Sequence, residues 1–110
     1  MPDSLGVPPG TLVMLVLQVL RTGPLHGYAI AQRIHLLSKE IIQVEEGSLY
    51  PALQKMLLNG WVTAEWGISD TNRKVRFYHL TPSGKKQLSA EASEYDRATI
   101  AVQTVMRTAS

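Results

Sequence analysis

Two short stretches hold side chains suited to gripping a charged, hydrogen-bonding partner. Ser48, Tyr50, Gln54 and Lys55 fall within eight positions, and Arg73, Lys74 and Arg76 within four. Ser and Gln hydrogen-bond to base edges, Lys meets a phosphate or a guanine, and Tyr donates to a phosphate oxygen. Three clustered cations bring steep salt dependence to any polyanion complex. This is the chemistry of recognition. Bond-breaking chemistry is not announced: there is no GxSxG elbow, no phosphate-cradling glycine loop and no HExxH. His26, His35 and His79 are far apart, and read as a helix-start, a surface and a strand residue. The chain has no cysteine, which excludes disulfides, thiolate chemistry and Cys-based zinc sites. No metal, cofactor or enzymatic activity is expected.

Charge is distributed unevenly. Residues 1–46 carry three basic and four acidic side chains, net −1. Residues 47–86 carry six basic and two acidic, net +4, and residues 87–110 two basic and three acidic, net −1. A local basic block is the footprint of a polyanion binder. On charge alone a solvated basic surface reads the same way. The longest apolar run, Leu12–Leu17 continuing past Gln18 to Leu20, falls well short of the roughly 20 residues of a membrane span. Asp3 and the lack of an earlier basic residue argue against a secretory signal, so a cytoplasmic location is expected.

The elements that would position these residues follow from periodicity. With 110 residues and 45% hydrophobic content, one domain is expected. Residues 1–10, with three prolines and two glycines, read as a loose arm. Thr11 is placed to cap a helix over Leu12–Arg21 that is apolar nearly all round, hence central, and Gly23-Pro24 ends it. A second helix fits His26–Ser38, with Leu25, Ile30, Ile34 and Leu37 on its apolar side. Ile41, Ile42 and Val44 suggest a short extended piece. The third helix fits Ser48–Asn59, with Ser48 as N-cap, Glu45 and Glu46 just ahead of it, and Pro51 in the first turn. Leu49, Ala52, Leu53, Met56 and Leu57 form its core stripe. Ser48, Tyr50, Gln54 and Lys55 then face the other way. Asn59-Gly60 reads as a C-cap rather than a hairpin turn.

From Trp61 the period is two. Trp61–Gly67 and Val75–Thr81 predict a β-hairpin with a seven-residue basic tip, Ile68–Lys74. Val62, Ala64 and Trp66 share one side of the first strand. Thr81-Pro82 opens a last helix running towards Met106. Its stripe, Leu88, Ala92, Tyr95, Thr99, Val102 and Met106, is heptad-like and long enough to need cover. The stripe could fold back on its own core, but a homodimer is favoured, because a domain of about 80 residues has little core for a helix of roughly 38 Å.

Three helices, a hairpin and a long helix give a mainly α fold with a β-hairpin (α+β): a winged helix-turn-helix over residues 11–81 and a dimerisation helix over 82–110. The later helix of such a unit enters the major groove of double-stranded DNA by its N-terminal end, and a two-fold dimer would call for a pseudo-palindromic operator. For Tyr50 the alternative is packing on the hairpin, and for Ser48 capping alone. The rival reading of the whole is a winged-helix protein-interaction module without specific DNA binding. That version should show apolar residues on the reader face, where Leu58 is the exposed candidate.

Over roughly residues 10–90 the sequence resembles the PadR family of bacterial transcriptional regulators. The likeness rests on Gly23-Pro24-Leu25-His26-Gly27-Tyr28, on Gly47-Ser48-Leu49-Tyr50-Pro51-Ala52-Leu53, on Trp66 with the basic turn, on Phe77-Tyr78, and on Leu80-Thr81-Pro82-Ser83-Gly84, in the family's order and spacing. The resemblance implies a winged helix with a C-terminal dimerising helix, usually acting in repression. Tyr28, Ser48 and Tyr50 match family positions near the DNA, and the basic wing matches as well. A single helix after the wing is like the family's smaller branch, some members of which sense flat aromatic drugs at the dimer centre. Here the last helix offers Tyr95 and no Trp, and Tyr95 also reads as a packing residue.

Overall fold

The computed structural model describes residues 4–108. Helix α1, Leu12–Val19, is the centre of the fold and touches the three other helices. Val16, Leu17, Val19 and Leu20 are buried. Its last turn tightens into a 3₁₀ turn, Leu20–Thr22, and Gly23 at φ 146° ends it, a conformation that side-chain-bearing residues avoid. Thr11 does not cap the helix with its side chain. Its hydroxyl donates instead to the Pro8 carbonyl at 2.7 Å, closing a turn ahead of the helix.

The expected loose arm is partly tied down. Leu5–Gly6 forms strand β1, pairing in parallel with β3, Ile42–Gln43, and the Leu5 N–H donates to the Ile41 carbonyl. The extended piece expected at 41–44 thus supplies a backbone edge that the N-terminal segment satisfies. Residues 1–3 of the arm lie outside the described residues.

Leu25–His26, β2, precedes helix α2, Gly27–Leu37. His26 caps α2, its Nδ1 accepting from the Ala29 N–H at 3.4 Å. Ile30 and Ile34 are buried, but Leu37, expected on the same apolar side, is 67% exposed. The helix ends there and the chain leaves through Lys39 and Glu40, both at positive φ, to bring Ile42 against His35 and Ser38, which leaves Leu37 on the outside.

Helix α3 spans Glu46–Leu58 and begins earlier than expected. Glu45, not Ser48, is the N-cap residue: its carbonyl accepts from the N–H groups of Ser48 and Leu49. Pro51 therefore lies beyond the first turn, where its missing N–H leaves the Gly47 carbonyl without its helical donor. Leu49, Leu53 and Met56 are buried as the stripe required. At the other end Gly60, at φ 74°, accompanies bonds from its own N–H to the Leu57 carbonyl and from the Trp61 N–H to the Met56 carbonyl. That pair of bonds is a Schellman C-cap.

Strands β4, Val62–Ile68, and β5, Lys74–Leu80, pair antiparallel from Val62↔Leu80 to Ile68↔Lys74. The last pair moves Ile68 and Lys74 out of the loop, so the tip is residues 69–73 rather than the expected seven. Ser69 closes it, donating its N–H to the Arg73 carbonyl at 2.8 Å and accepting from the Arg73 N–H at 3.2 Å. β2 adds to β5 through Leu25↔Tyr78 and His26↔Phe77, giving a three-stranded sheet in the order β2-β5-β4.

Helix α4, Pro82–Met106, has the predicted limits. The Thr81 hydroxyl accepts from the Gly84 N–H at 2.9 Å and donates to the Gly60 carbonyl at 2.7 Å. Leu88, expected on the dimer stripe, is 9% exposed and belongs to the protomer's own core. Gly84 is buried where a Cβ would run into the Trp61 carbonyl oxygen and the Leu80 side chain. Gly84→Ala is expected to cost about 1–3 kcal/mol in urea unfolding, as overpacking does. Gly47→Ala, where a Cβ meets nothing within 4 Å, is expected to leave stability unchanged or raise it by up to ~1 kcal/mol.

Candidate nucleic-acid interface

The start of α2, the outer face of α3 and the inner face of the hairpin enclose an open cleft of about 990 Å³. Tyr28, Tyr50, Gln54, Arg73, Lys74 and Arg76, six of the residues expected to contact DNA, line it. Ser48 and Lys55 are exposed on α3 but outside the cleft lining. One register explains how the hairpin serves two purposes. Val62, Ala64 and Trp66 share a face with Arg76, Tyr78 and Leu80. At its base that face is core, with Val62 and Tyr78 buried; towards the tip it emerges into the cleft as Trp66, Lys74 and Arg76. Trp66 is therefore 63% exposed, although it alternates in phase with buried residues.

Tyr50 is 47% exposed and sits against the first residue of α2. A Cβ on Gly27 would stand 2.7 Å from its hydroxyl and 3.0 Å from two ring carbons, so only glycine leaves the ring its present place. The phenol is pushed above its ordinary range by burial first, then by the Glu46 carboxylate and by Tyr78. A raised phenol keeps its proton, so Tyr50 remains a hydrogen-bond donor throughout the neutral range.

Among the described residues no wing cation pairs with a carboxylate. The close contacts between basic and acidic side chains are His79 Nε2 to Glu65 Oε1 at 2.8 Å and Arg97 to Glu94 at 3.2 Å, neither involving Arg73, Lys74 or Arg76. Lys74 Nζ lies 5.2 Å from the centroid of the Trp66 ring, and Arg76 Cζ lies 5.8 Å from it and 5.9 Å from that of Tyr78. Glu46 and Asp70 also line the cleft and are its two acidic groups. Sequence reasoning placed neither them nor Trp66, Tyr78 and Gly27 at the site. The signal for Gly27 lay in its tyrosine partner 23 positions away, which no local pattern links to it. The exposed rings of Trp66 and Tyr28, which line the cleft beside α3, show that Leu58 is not alone as an exposed apolar residue near that helix. Among the described residues no three His, Cys, Asp or Glu side chains group to hold a metal, and no helix is long and apolar enough to cross a membrane.

A helix pair, a three-stranded sheet whose hairpin carries Arg73, Lys74 and Arg76, and a polar face of α3 across a common cleft define a winged helix-turn-helix domain. The chain belongs to the transcriptional regulator PadR-like family, whose model matches residues 16–90. The family is one of transcriptional regulators rather than enzymes. The negative transcriptional regulator PadR of Bacillus subtilis (strain 168) is 32% identical over 73 residues, covering 66% of this chain and 40% of that one. This chain thus spans about two fifths of the length of that relative. A PadR family transcriptional regulator from Eggerthella lenta DSM 2243 superposes with a TM-score of 0.76 at 29% identity, over 91% of this chain and 85% of that one. A transcriptional regulator from Clostridium thermocellum superposes with a TM-score of 0.79 at 24% identity, over 86% and 92%.

The charge around Tyr50 is testable in the free protein. Glu46→Gln removes a negative neighbour that disfavours the phenolate, so Tyr50 should ionise at lower pH than in the parent. Absorbance titration near 295 nm against a Tyr50→Phe control reads the difference; an unmoved titration would mean that burial alone sets the shift.

Proposed function

We propose that this chain is a repressor that binds a pseudo-palindromic operator in double-stranded DNA as a homodimer. The N-terminal part of α3 would lie in the major groove and the hairpin would flank it. The observation that carries this reading is the shared cleft, in which polar residues of α3 face three wing cations that have no carboxylate partners among the described residues. Ser48 and Gln54 are assigned to base edges, and Tyr28, Tyr50, Lys55, Arg73, Lys74 and Arg76 to phosphates or guanine. The sign of regulation follows the relative in Bacillus subtilis, which is a negative regulator.

The dimer is assigned to α4. Its first half belongs to the protomer, through buried Leu88 and half-buried Ala92. Beyond them Tyr95, Thr99, Val102 and Met106 continue the stripe, with Val102 61% and Met106 77% exposed. A second copy covers that length of helix and sets the spacing of two reader helices. The working division is a DNA-binding unit over 11–81 and a dimerisation helix over 82–110, welded at Leu88. Tyr95, the one aromatic of α4, is where a flat aromatic effector at the dimer centre would stack.

Titration of the protein against its own upstream DNA, with unrelated duplex as competitor, tests the reading. Binding with Kd of about 10⁻⁸ M or below that survives competitor is expected at moderate salt. Three wing cations from each of two protomers, six in all, predict a slope of log K against log salt of about −5 or steeper. Binding that competitor abolishes would contradict a specific operator. In sedimentation the parent should be a dimer at micromolar concentration, and Val102→Asp with Met106→Asp a folded monomer, because both positions are exposed in the protomer. A monomeric parent would sink the dimer.

A further inference from the structure

We infer that Trp66 is a positioning residue for DNA binding: its indole is a platform that holds Lys74 and Arg76 in the extended poses in which they meet the phosphate backbone. The inference rests on the DNA-binding reading above and adds to it a residue that carries no charge.

Long cationic side chains on a hairpin are ordinarily loose, and fixing one on binding costs rotamer entropy. In this hairpin the fixing is done before the DNA arrives. Arg76 stands directly across the strand pair from Trp66, and Lys74 two pairs further towards the tip, across from Ile68 and on the same face. Both cations lie on the same indole, at 5.2 and 5.8 Å from its centroid, and Arg76 lies also 5.9 Å from the centroid of the Tyr78 ring. Such contacts hold a cation without neutralising it. Among the described residues Arg76 makes no ion pair and its buried Nε no hydrogen bond, which leaves the two rings as the groups its guanidinium rests against. The position of Trp66 is otherwise costly. It is 63% exposed on a wing, in phase with core residues Val62 and Tyr78, where a polar residue would be better solvated. A large exposed aromatic with two cations laid on it, opening into the cleft that faces the reader helix, is explained by a partner that needs those cations in fixed places.

The test separates holding a charge from supplying one. Removing Lys74 or Arg76 by alanine substitution should weaken operator binding and make the salt slope shallower by about 1 per cation lost. Trp66→Ala should weaken binding about tenfold with the salt slope unchanged, since both charges remain but are no longer held. Trp66→Phe should recover most of the loss. In the double variant Trp66→Ala/Arg76→Ala the losses should be less than additive. Urea unfolding of each variant reports whether the hairpin still folds. The free protein gives a readout without DNA: the fluorescence lost between the parent and Trp66→Phe belongs to Trp66, and iodide should quench it about twofold more strongly than in Lys74→Ala/Arg76→Ala, because the two cations gather the anion. Parent-like affinity in folded Trp66→Ala overturns the inference and leaves the DNA-binding reading intact. A parent that binds no duplex overturns both as they concern DNA. Iodide quenching that ignores the two cations overturns the platform itself.

Discussion

Two backbone pairs, Leu25↔Tyr78 and His26↔Phe77, hold the walls of the cleft together. A two-stranded hairpin alone is marginal in water, and its tip would swing freely relative to the helices. The short strand β2 adds a third member, and it is the residue pair immediately before α2. The same His26 that pairs with Phe77 caps α2 through Nδ1 and meets the Phe77 ring edge-on at 5.7 Å. The wing is thereby fastened to the first turn of α2, against whose first residue Tyr50 of α3 rests. The width of the cleft is a consequence of this fastening.

The elements with long periodic patterns were legible in the residues. The limits of α4 follow from Thr81-Pro82 and an uninterrupted helical run, and the C-cap at Asn59-Gly60 from a stripe that stops there. What escaped was short or non-local. β1, β2 and β3 have two residues each, too few to alternate, and are defined only by partners far along the chain. Ser48 reads as a cap because serine is a good one, yet the helix starts earlier, where Glu45 supplies a carbonyl and no side-chain bond. Leu88 fits the heptad as well as Met106 does; only the position of α1 decides that one is core and the other exposed. Trp66 fits the inward phase of β4, and its emergence into the cleft depends on where the core ends rather than on alternation.

The cleft is not uniformly basic. Glu46 begins α3 and Asp70 sits in the hairpin tip, both facing the space shared with Arg73, Lys74 and Arg76. A carboxylate at the reader end disfavours a phosphate there by like-charge repulsion, while the wing favours one. With a polyanion bound there, attraction and repulsion in one cleft would orient it more sharply than attraction alone, so that charge would contribute to register as well as to strength.

The Thr81 side chain also has a mechanical meaning. Its hydroxyl caps α4 and at the same time bonds the Gly60 carbonyl, the residue that ends α3. The Thr81 N–H bonds the Trp61 carbonyl next to it. The foot of α4 and the tail of α3 are thus bolted to one dipeptide, with buried Gly84 pressed against it. A joint with three hydrogen bonds and a buried glycine leaves little room to absorb a tilt. A change in the angle of the long helix is transmitted through the bolt to the short one, and a lever of 25 residues makes a few degrees at the joint correspond to ångströms at the far end.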